Sequence, residues 1–154
     1  SKNLHHEAEL AVVIGRTAKH VKAEQANEYI FGYTCANDVT ARDIQKGDGQ
    51  WTRGKGFDTF LPLGPCIETE LDPHDLAIKC WVNGELRQSS NTSNLIFSVP
   101  YLVEFVSKVM TLYPGDVILT GTPSGVGPMQ AGDRVTVEIA GIGSLQNRIV
   151  AETE

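Results

Sequence analysis

Two acidic residues, Glu7 and Glu9, stand one residue apart at the head of the apolar stretch EAELAVVIG. In a β-strand, residues i and i+2 point to the same face, so the two carboxylates would lie side by side. Adjacent negative charges repel each other unless both face open water or a cation holds them together. The spacing therefore leaves two interpretations, a solvent-facing strand end and a divalent metal site.

A third carboxylate, Asp38, lies near the end of the next strand-like segment, FGYTCANDVT. Three carboxylates together with waters suit a hard cation such as Mg²⁺ or Mn²⁺. The E-x-E spacing alone is weak support for a metal, because it also occurs in many solvent-facing strands. His5 and His6 adjoin the pair, but consecutive strand residues face opposite ways, so at most one of them can point at the site. A structural role is expected for both histidines.

The elements that must position these acids are mostly strands. Alternating or β-branched segments bounded by turn residues recur along the chain, and Asn83-Gly84 between two of them predicts a β-hairpin. The stretch 42–60 contains four glycines, many charges and no sustained period, which predicts a long loop. Mostly strands, about two helices and no βαβ rhythm favour a β-rich α+β fold in one domain.

Two segments are predicted to be helical. Residues 21–30 have apolar side chains at mixed helical spacing, which indicates a short amphipathic helix. Residues 99–110 are predicted to form a longer helix with Pro100 in its first turn. The apolar stripe of that helix is predicted to consist of Leu102, Phe105, Val106 and Val109.

The composition narrows the classes of partner. The 154 residues are 41% hydrophobic and 21% charged, as in ordinary globular proteins. Thirteen basic and 19 acidic residues give a net charge of −6 with no basic run, which argues against a nucleic acid or a membrane surface as partner. The three widely spaced cysteines indicate free thiols in a reducing compartment. We expect a cytoplasmic protein, or one of the mitochondrial matrix in a eukaryote.

Five motifs in a fixed order resemble the fumarylacetoacetate hydrolase family, and within it the acylpyruvate hydrolase and oxaloacetate decarboxylase branch: HHEAELAVVIG, GYTCANDVTARDIQ, WTRGKGFDTFLPLGP, VNGELRQ and PGDVILTGTPSGVGP. The resemblance runs from His5 to about Val150. It implies the mixed β-sandwich roll of the family's C-terminal catalytic domain over 1–154, commonly assembled as a homodimer. The family's water-activating His and Glu precede the E-x-E strand, and only six residues precede Glu7 here. We therefore expect the N-terminal lid segment to be absent from this chain.

The resemblance also implies roles for individual residues. It assigns Mg²⁺ binding, with Mn²⁺ as the alternative, to Glu7, Glu9 and Asp38. It makes Lys55 the catalytic residue beside the metal, where it also contacts the substrate. It assigns further substrate contacts to Arg42, Gln45 and Thr122.

The implied reaction is Mg²⁺-dependent cleavage of a C–C bond in a short 2-oxo acid through a metal-stabilised enolate. Acylpyruvate hydrolysis and oxaloacetate decarboxylation both fit this description. The alternative within the family is an isomerase of a catabolic dienoate such as 2-hydroxyhepta-2,4-diene-1,7-dioate. A catalytically silent scaffold is a third hypothesis, which the joint presence of three acids and Lys55 disfavours, because clustered acids without a metal destabilise a fold.

Overall fold

A computed structural model describes residues 1–152 of the chain as a β-rich α+β fold, which confirms the predicted class. The strands are β1 (Leu4–His6), β2 (Ala8–Ile14), β3 (Ile30–Asn37), β4 (Thr40–Ala41), β5 (Leu63–Glu68), β6 (Ala77–Val82), β7 (Glu85–Asn91), β8 (Val117–Leu119), β9 (Gly127–Met129), β10 (Arg134–Ile139) and β11 (Gly143–Arg148). The α-helices are α1 (Arg42–Asp48), α2 (Thr52–Lys55) and α3 (Val99–Val109), and 3-10 helices span Ala23–Glu28 and Thr92–Asn94.

The strands form three antiparallel sheets, ordered β4-β1-β9, β5-β3-β2-β8 and β11-β10-β6-β7. Strand alternation creates the core between the two larger sheets. In β10, for example, Val135, Val137 and Ile139 are buried while the residues between them face outward. Burying one such side chain contributes about 1.5–3 kcal/mol relative to leaving it exposed. None of the helices within residues 1–152 has the length and apolar character needed to cross a membrane.

Strand β2 is the element that positions the acidic pair. It lies between β3 and β8, and all of its residues are buried. Its register with β3 pairs Ala8 with Asn37, so Glu7 and Asp38 lie opposite each other just beyond the paired ends. The backbone N–H of Asp38 donates to the carbonyl of Glu7 at 2.8 Å, which fixes this juxtaposition.

The predicted hairpin at Asn83-Gly84 is confirmed, since the two residues join β6 to β7 with φ angles of 53° and 84°. Positive φ at both central positions is the requirement of a type I′ turn, and Asn and Gly are the residues that tolerate it best.

The predicted helix over 99–110 is confirmed as α3, and its predicted apolar stripe is confirmed in part, since Leu102 and Val106 are partly buried and pack against the core. The side chain of Ser98 caps the helix by accepting from the N–H of Tyr101. The buried residues are Val99, Val103 and Ser107, whereas Phe105 and Val109, two members of the predicted stripe, are 55% and 65% exposed. The face of α3 that carries these buried residues packs closely against the segment before the 3-10 helix Ala23–Glu28. There the Ser107 hydroxyl accepts from the N–H of Val21 at 3.0 Å.

Two other sequence predictions differ from the structure. The amphipathic helix predicted for 21–30 is a shorter 3-10 helix over Ala23–Glu28, after which β3 begins. The loop predicted for 42–60 instead contains α1 and α2. These helices are stabilised by contact with each other, since a Cβ placed on Gly54 would lie 2.9 Å from Cβ of Gln45. Neither helix is long enough to show an apolar period in the sequence.

Candidate metal centre and active site

Glu7, Glu9 and Asp38 form a compact acidic cluster in which one carboxylate oxygen of each residue lies within 4.8 Å of the others. Glu7 and Glu9 face the same side because they are two positions apart along an extended backbone, Glu7 standing immediately before β2. Asp38 reaches the cluster from across the β2–β3 pair. The three residues are only 7%, 4% and 8% exposed, so the solvent-facing strand end is the wrong interpretation of the E-x-E spacing.

The cluster is electrostatically strained as an isolated set of anions. The pKa of Glu9 is raised to about 7, chiefly by burial and also by the nearby Asp38 and Glu7 carboxylates. The N–H of Gly121 opposes this shift by donating to Glu9 Oε2 at 2.6 Å. Burial also raises the pKa of Asp38, although Lys55 offsets part of that effect. A site that disfavours ionised carboxylates in this way gains free energy when a cation binds.

Two cationic side chains contact the cluster. Lys55 Nζ lies 3.0 Å from Glu7 Oε2 and also contacts Asp38 Oδ2. Arg42 donates through Nη2 to Glu7 Oε1 and through Nη1 to Gln45 Oε1 at 2.9 Å. Burial alone lowers the pKa of Lys55, but its hydrogen bonds to Asp38 and Glu7 outweigh this and raise it, so the ammonium stays charged.

The remaining predicted residue, Thr122, lies next to the acidic cluster through its chain neighbour Gly121. The N–H of Gly121 donates to Glu9 Oε2, which holds this part of the loop against the acidic cluster. Thr122 lines a cavity of about 280 Å³ together with Leu10, Thr120 and Phe97. The structure thus brings the three predicted acids together and places Lys55 and Arg42 in contact with them. Gln45 contacts Arg42, and Thr122 follows Gly121, whose N–H donates to Glu9.

Neither histidine beside the acidic pair belongs to the cluster. His5 Nε2 lies 2.9 Å from Asn3 Oδ1, and buried His6 places Nδ1 3.2 Å from Gln88 Oε1. Both side chains have structural contacts, as expected from their position on the strand.

Sequence patterns did not reveal several polar groups that hold the site. Asn37 Oδ1 accepts from the N–H of Glu7 at 2.9 Å, and Thr40 Oγ1 lies 3.0 Å from Lys55 Nζ. Both flank Asp38 in the ANDVT stretch, but no spacing rule separates them from ordinary strand residues. Gln88 lies in a polar strand and gave no periodic signal at all.

The donor set fits a hard divalent cation, which prefers carboxylate oxygens and waters as ligands. Three carboxylates and two contacting cations leave the cluster with one excess negative charge when all are ionised. A divalent ion would reverse that balance, and the resulting positive site would attract a small anion.

Residues 1–150 match the family described as fumarylacetoacetate (FAA) hydrolase C-terminal. The rat mitochondrial oxaloacetate tautomerase Fahd2a is 48% identical over 161 residues, which cover 97% of this chain and 51% of the relative. The chain spans between half and two-thirds of the length of several curated relatives that it matches, with shares of 64%, 57% and 51%.

Solved structures show the same fold. The crystal structure of 5-carboxymethyl-2-hydroxymuconate delta-isomerase from Mycobacterium smegmatis matches with a TM-score of 0.97 and 56% identity, covering 99% of this chain and 61% of that one. Fumarylpyruvate hydrolase from Pseudomonas aeruginosa, in complex with Mn²⁺ and pyruvate, matches with a TM-score of 0.92 and 39% identity, covering 99% and 68%. The predicted family and fold type are confirmed, and the chain belongs to the fumarylacetoacetate hydrolase family.

Proposed function

We propose that this chain is the catalytic domain of a metal-dependent enzyme that cleaves a C–C bond in a short 2-oxo acid, by acylpyruvate hydrolysis, oxaloacetate decarboxylation or both. The observation that carries the proposal is the buried cluster of Glu7, Glu9 and Asp38 with Lys55 and Arg42 against it. The fumarylpyruvate hydrolase that shares the fold is described with Mn²⁺ and pyruvate, and pyruvate is itself a 2-oxo acid.

The three carboxylates would hold the metal, for which we propose Mg²⁺ with Mn²⁺ as the alternative. When bound, the ion supplies Lewis acidity that stabilises negative charge developing on the 2-oxo acid. The raised pKa values of Glu9 and Asp38 fit this role, because a bound cation would offset the free-energy cost of keeping these buried carboxylates ionised.

The chain's own cations have complementary tasks in this proposal. Lys55 holds Glu7 and Asp38 in place and remains charged, so it attracts an anionic substrate rather than accepting a proton. Arg42 is oriented by Glu7 and by Gln45, which leaves a planar guanidinium fixed beside the cluster. Thr122 offers a hydroxyl from the cavity wall for a further polar contact with substrate.

A second candidate is isomerisation, including keto–enol tautomerisation, of a 2-oxo acid or a dienoate. The Mycobacterium smegmatis isomerase, at 56% identity, and the rat tautomerase, at 48%, favour it. Both candidates develop the same enolate-like negative charge, so both use the same cluster. They differ in how that charge arises. Hydrolysis needs water to attack the acyl carbonyl before the C–C bond breaks, decarboxylation generates the enolate by releasing CO₂, and isomerisation generates it by removing a proton from carbon and later returns a proton to a carbon.

The test is turnover by the full-length protein of acetylpyruvate, oxaloacetate and a 2-hydroxy-dienoate, with Mg²⁺ and with EDTA. Glu9→Gln is the site variant, and Glu24→Gln, at an exposed position on the 3-10 helix, is its matched control. We expect activity to require both the metal and Glu9 and to survive Glu24→Gln. Undiminished activity of Glu9→Gln in EDTA would refute the proposal, and the preferred substrate decides between the two candidates.

A homodimer also remains part of the proposal, since the structure describes one protomer. Sedimentation of the full-length protein tests it, and a single species at the monomer mass would contradict it.

A further inference from the structure

Gln88 is the one buried residue of strand β7, with 1% of its surface exposed, and its amide makes four short polar contacts. Oε1 accepts from the N–H of Ala8 at 3.0 Å and lies 3.2 Å from His6 Nδ1. Nε2 donates to the carbonyl of Pro123 and to Thr122 Oγ1, both at 2.8 Å. These contacts use the full hydrogen-bonding capacity of a carboxamide.

The orientation of this amide is fixed by its backbone partners. The N–H of Ala8 can only donate and the carbonyl of Pro123 can only accept, so oxygen faces β2 and nitrogen faces the loop. The contact with His6 then requires a proton on Nδ1.

Gln88 connects the two halves of the candidate site. Ala8 stands between Glu7 and Glu9 on the acidic strand, and Thr122 and Pro123 follow Gly121, whose N–H is bonded to Glu9. Two residues after Pro123, the same loop also approaches the backbone of β7, the strand that carries Gln88. At Gly125, with φ at +99°, a Cβ would lie only 2.1 Å from the carbonyl oxygen of Arg87.

The contact with Gln88 determines what Thr122 can offer to a ligand. Because Nε2 donates to Thr122 Oγ1, the hydroxyl oxygen acts there as an acceptor and its own hydrogen must point elsewhere. Thr122 lines the cavity, so this hydrogen is available to an acceptor inside it. An anionic oxygen is the acceptor that gains most from such a donor.

We propose that Gln88 is a positioning residue that presents the Thr122 hydroxyl as a donor to a substrate carboxylate. It also holds the loop that contains Thr122 and Pro123 at a fixed position relative to strand β2. The inference rests on the proposed function of the site. Gln88 acts through Thr122 and contacts neither substrate nor metal.

The test is a double-mutant cycle on the full-length protein with Gln88→Met, Thr122→Val and both together. Mn²⁺ affinity and the affinity of the Mn²⁺-loaded protein for oxalate, a dicarboxylate analogue of a 2-oxo acid enolate, are measured by calorimetry. We expect each single variant to lose at least about tenfold in oxalate affinity, as for one hydrogen bond to a charged group, while Mn²⁺ affinity stays within about threefold. The double variant should be no weaker than either single variant, because both remove one interaction.

Two further variants guard against loss of the fold. Gln88→Glu keeps the side-chain length but cannot donate when ionised, so it should lose oxalate affinity in the same way if Gln88→Met does not fold. Ser107→Ala removes a buried hydroxyl that bridges Val21 and Glu104 away from the site, and it should lower the melting temperature without changing oxalate affinity.

Each outcome bears on the inference separately from the proposed function. Undiminished oxalate affinity in the Gln88 variants, or losses that add in the double variant, would overturn the positioning role while leaving the metal site intact. Failure of the wild-type protein to bind Mn²⁺ would overturn the proposed function and this inference with it.

Discussion

Replacing Glu9 with glutamine should stabilise the metal-free protein, although it removes a carboxylate from the centre of the site. Burial raises the pKa of Glu9 from 4.5 to about 7. Each pKa unit corresponds to about 1.4 kcal/mol, so holding Glu9 ionised in the folded metal-free protein costs about 3 kcal/mol of unfolding free energy at pH 8. Glutamine keeps an acceptor for the N–H of Gly121 without the charge.

The pH dependence of this effect has a definite sign. The folded protein binds a proton at Glu9 more tightly than the unfolded chain, so the free energy of unfolding falls as pH rises from the unfolded pKa of 4.5 to the folded pKa of about 7. The advantage of the Glu9→Gln variant should therefore be below about 1 kcal/mol at pH 5 and full above pH 7. At pH 8 it corresponds to a melting temperature higher by roughly 6–12 °C for a domain of this size.

Differential scanning calorimetry in EDTA at several pH values measures this difference directly. Glu24→Gln, at an exposed position, removes the same charge elsewhere and should leave the melting temperature nearly unchanged. Adding Mg²⁺ should raise the melting temperature of the wild-type protein and not that of Glu9→Gln, because a ligand stabilises only the state that binds it. A Glu9→Gln variant that is no more stable than wild type at pH 8 would refute the electrostatic reasoning.

Three further results are expected. Lys55→Met should reduce turnover and oxalate affinity while leaving Mn²⁺ affinity undiminished, because it removes a cation from the carboxylates; weaker Mn²⁺ binding in calorimetry would contradict this. The apparent Kd for Mn²⁺ should rise about tenfold for each pH unit below the Glu9 pKa of about 7, since the metal must displace that proton, and a pH-independent Kd would argue against it. Gly125→Ala should lower the melting temperature far more than Gly132→Ala, because both have positive φ but only Gly125 faces a backbone atom, the Arg87 oxygen; equal losses would show that φ alone matters.

Features that depend on neighbouring residues were predictable from the sequence. The same-face placement of Glu7 and Glu9 follows from strand geometry alone, and the Asn83-Gly84 turn follows from the φ angles that these two residues tolerate. Asp38 could be proposed from its place near the end of the next strand-like segment. Joining Lys55 and the loop residues to the acids required the family motifs, because no local rule brings residues from separate elements together.

The errors have a common physical cause, which is tertiary contact. In α3 the amphipathic pattern indicated a helix, but the most buried face also contains Ser107, whose hydroxyl accepts from the N–H of Val21. Helices α1 and α2 pack closely where Gly54 meets Gln45, and such a contact leaves no periodic trace in a short segment. Gln88 was missed for the same reason, since its burial depends on a loop more than 30 residues away.

The arrangement of charge also explains how one site fits relatives with different activities. In the proposed function, a metal held by the three acids would act together with Lys55 and Arg42 on the carboxylate and keto oxygens that every 2-oxo acid carries. These cations would stabilise the negative charge whichever bond breaks to produce it. Discrimination between hydrolysis, decarboxylation and isomerisation must then come from groups that face the rest of the substrate. A cavity lined by Ile96, Phe97 and Thr122 adjoins the acids through Gly121, which lines the cavity and donates its N–H to Glu9. Substitutions on the wall of that cavity should therefore change substrate preference, while substitutions in the acidic cluster should remove activity toward every substrate alike.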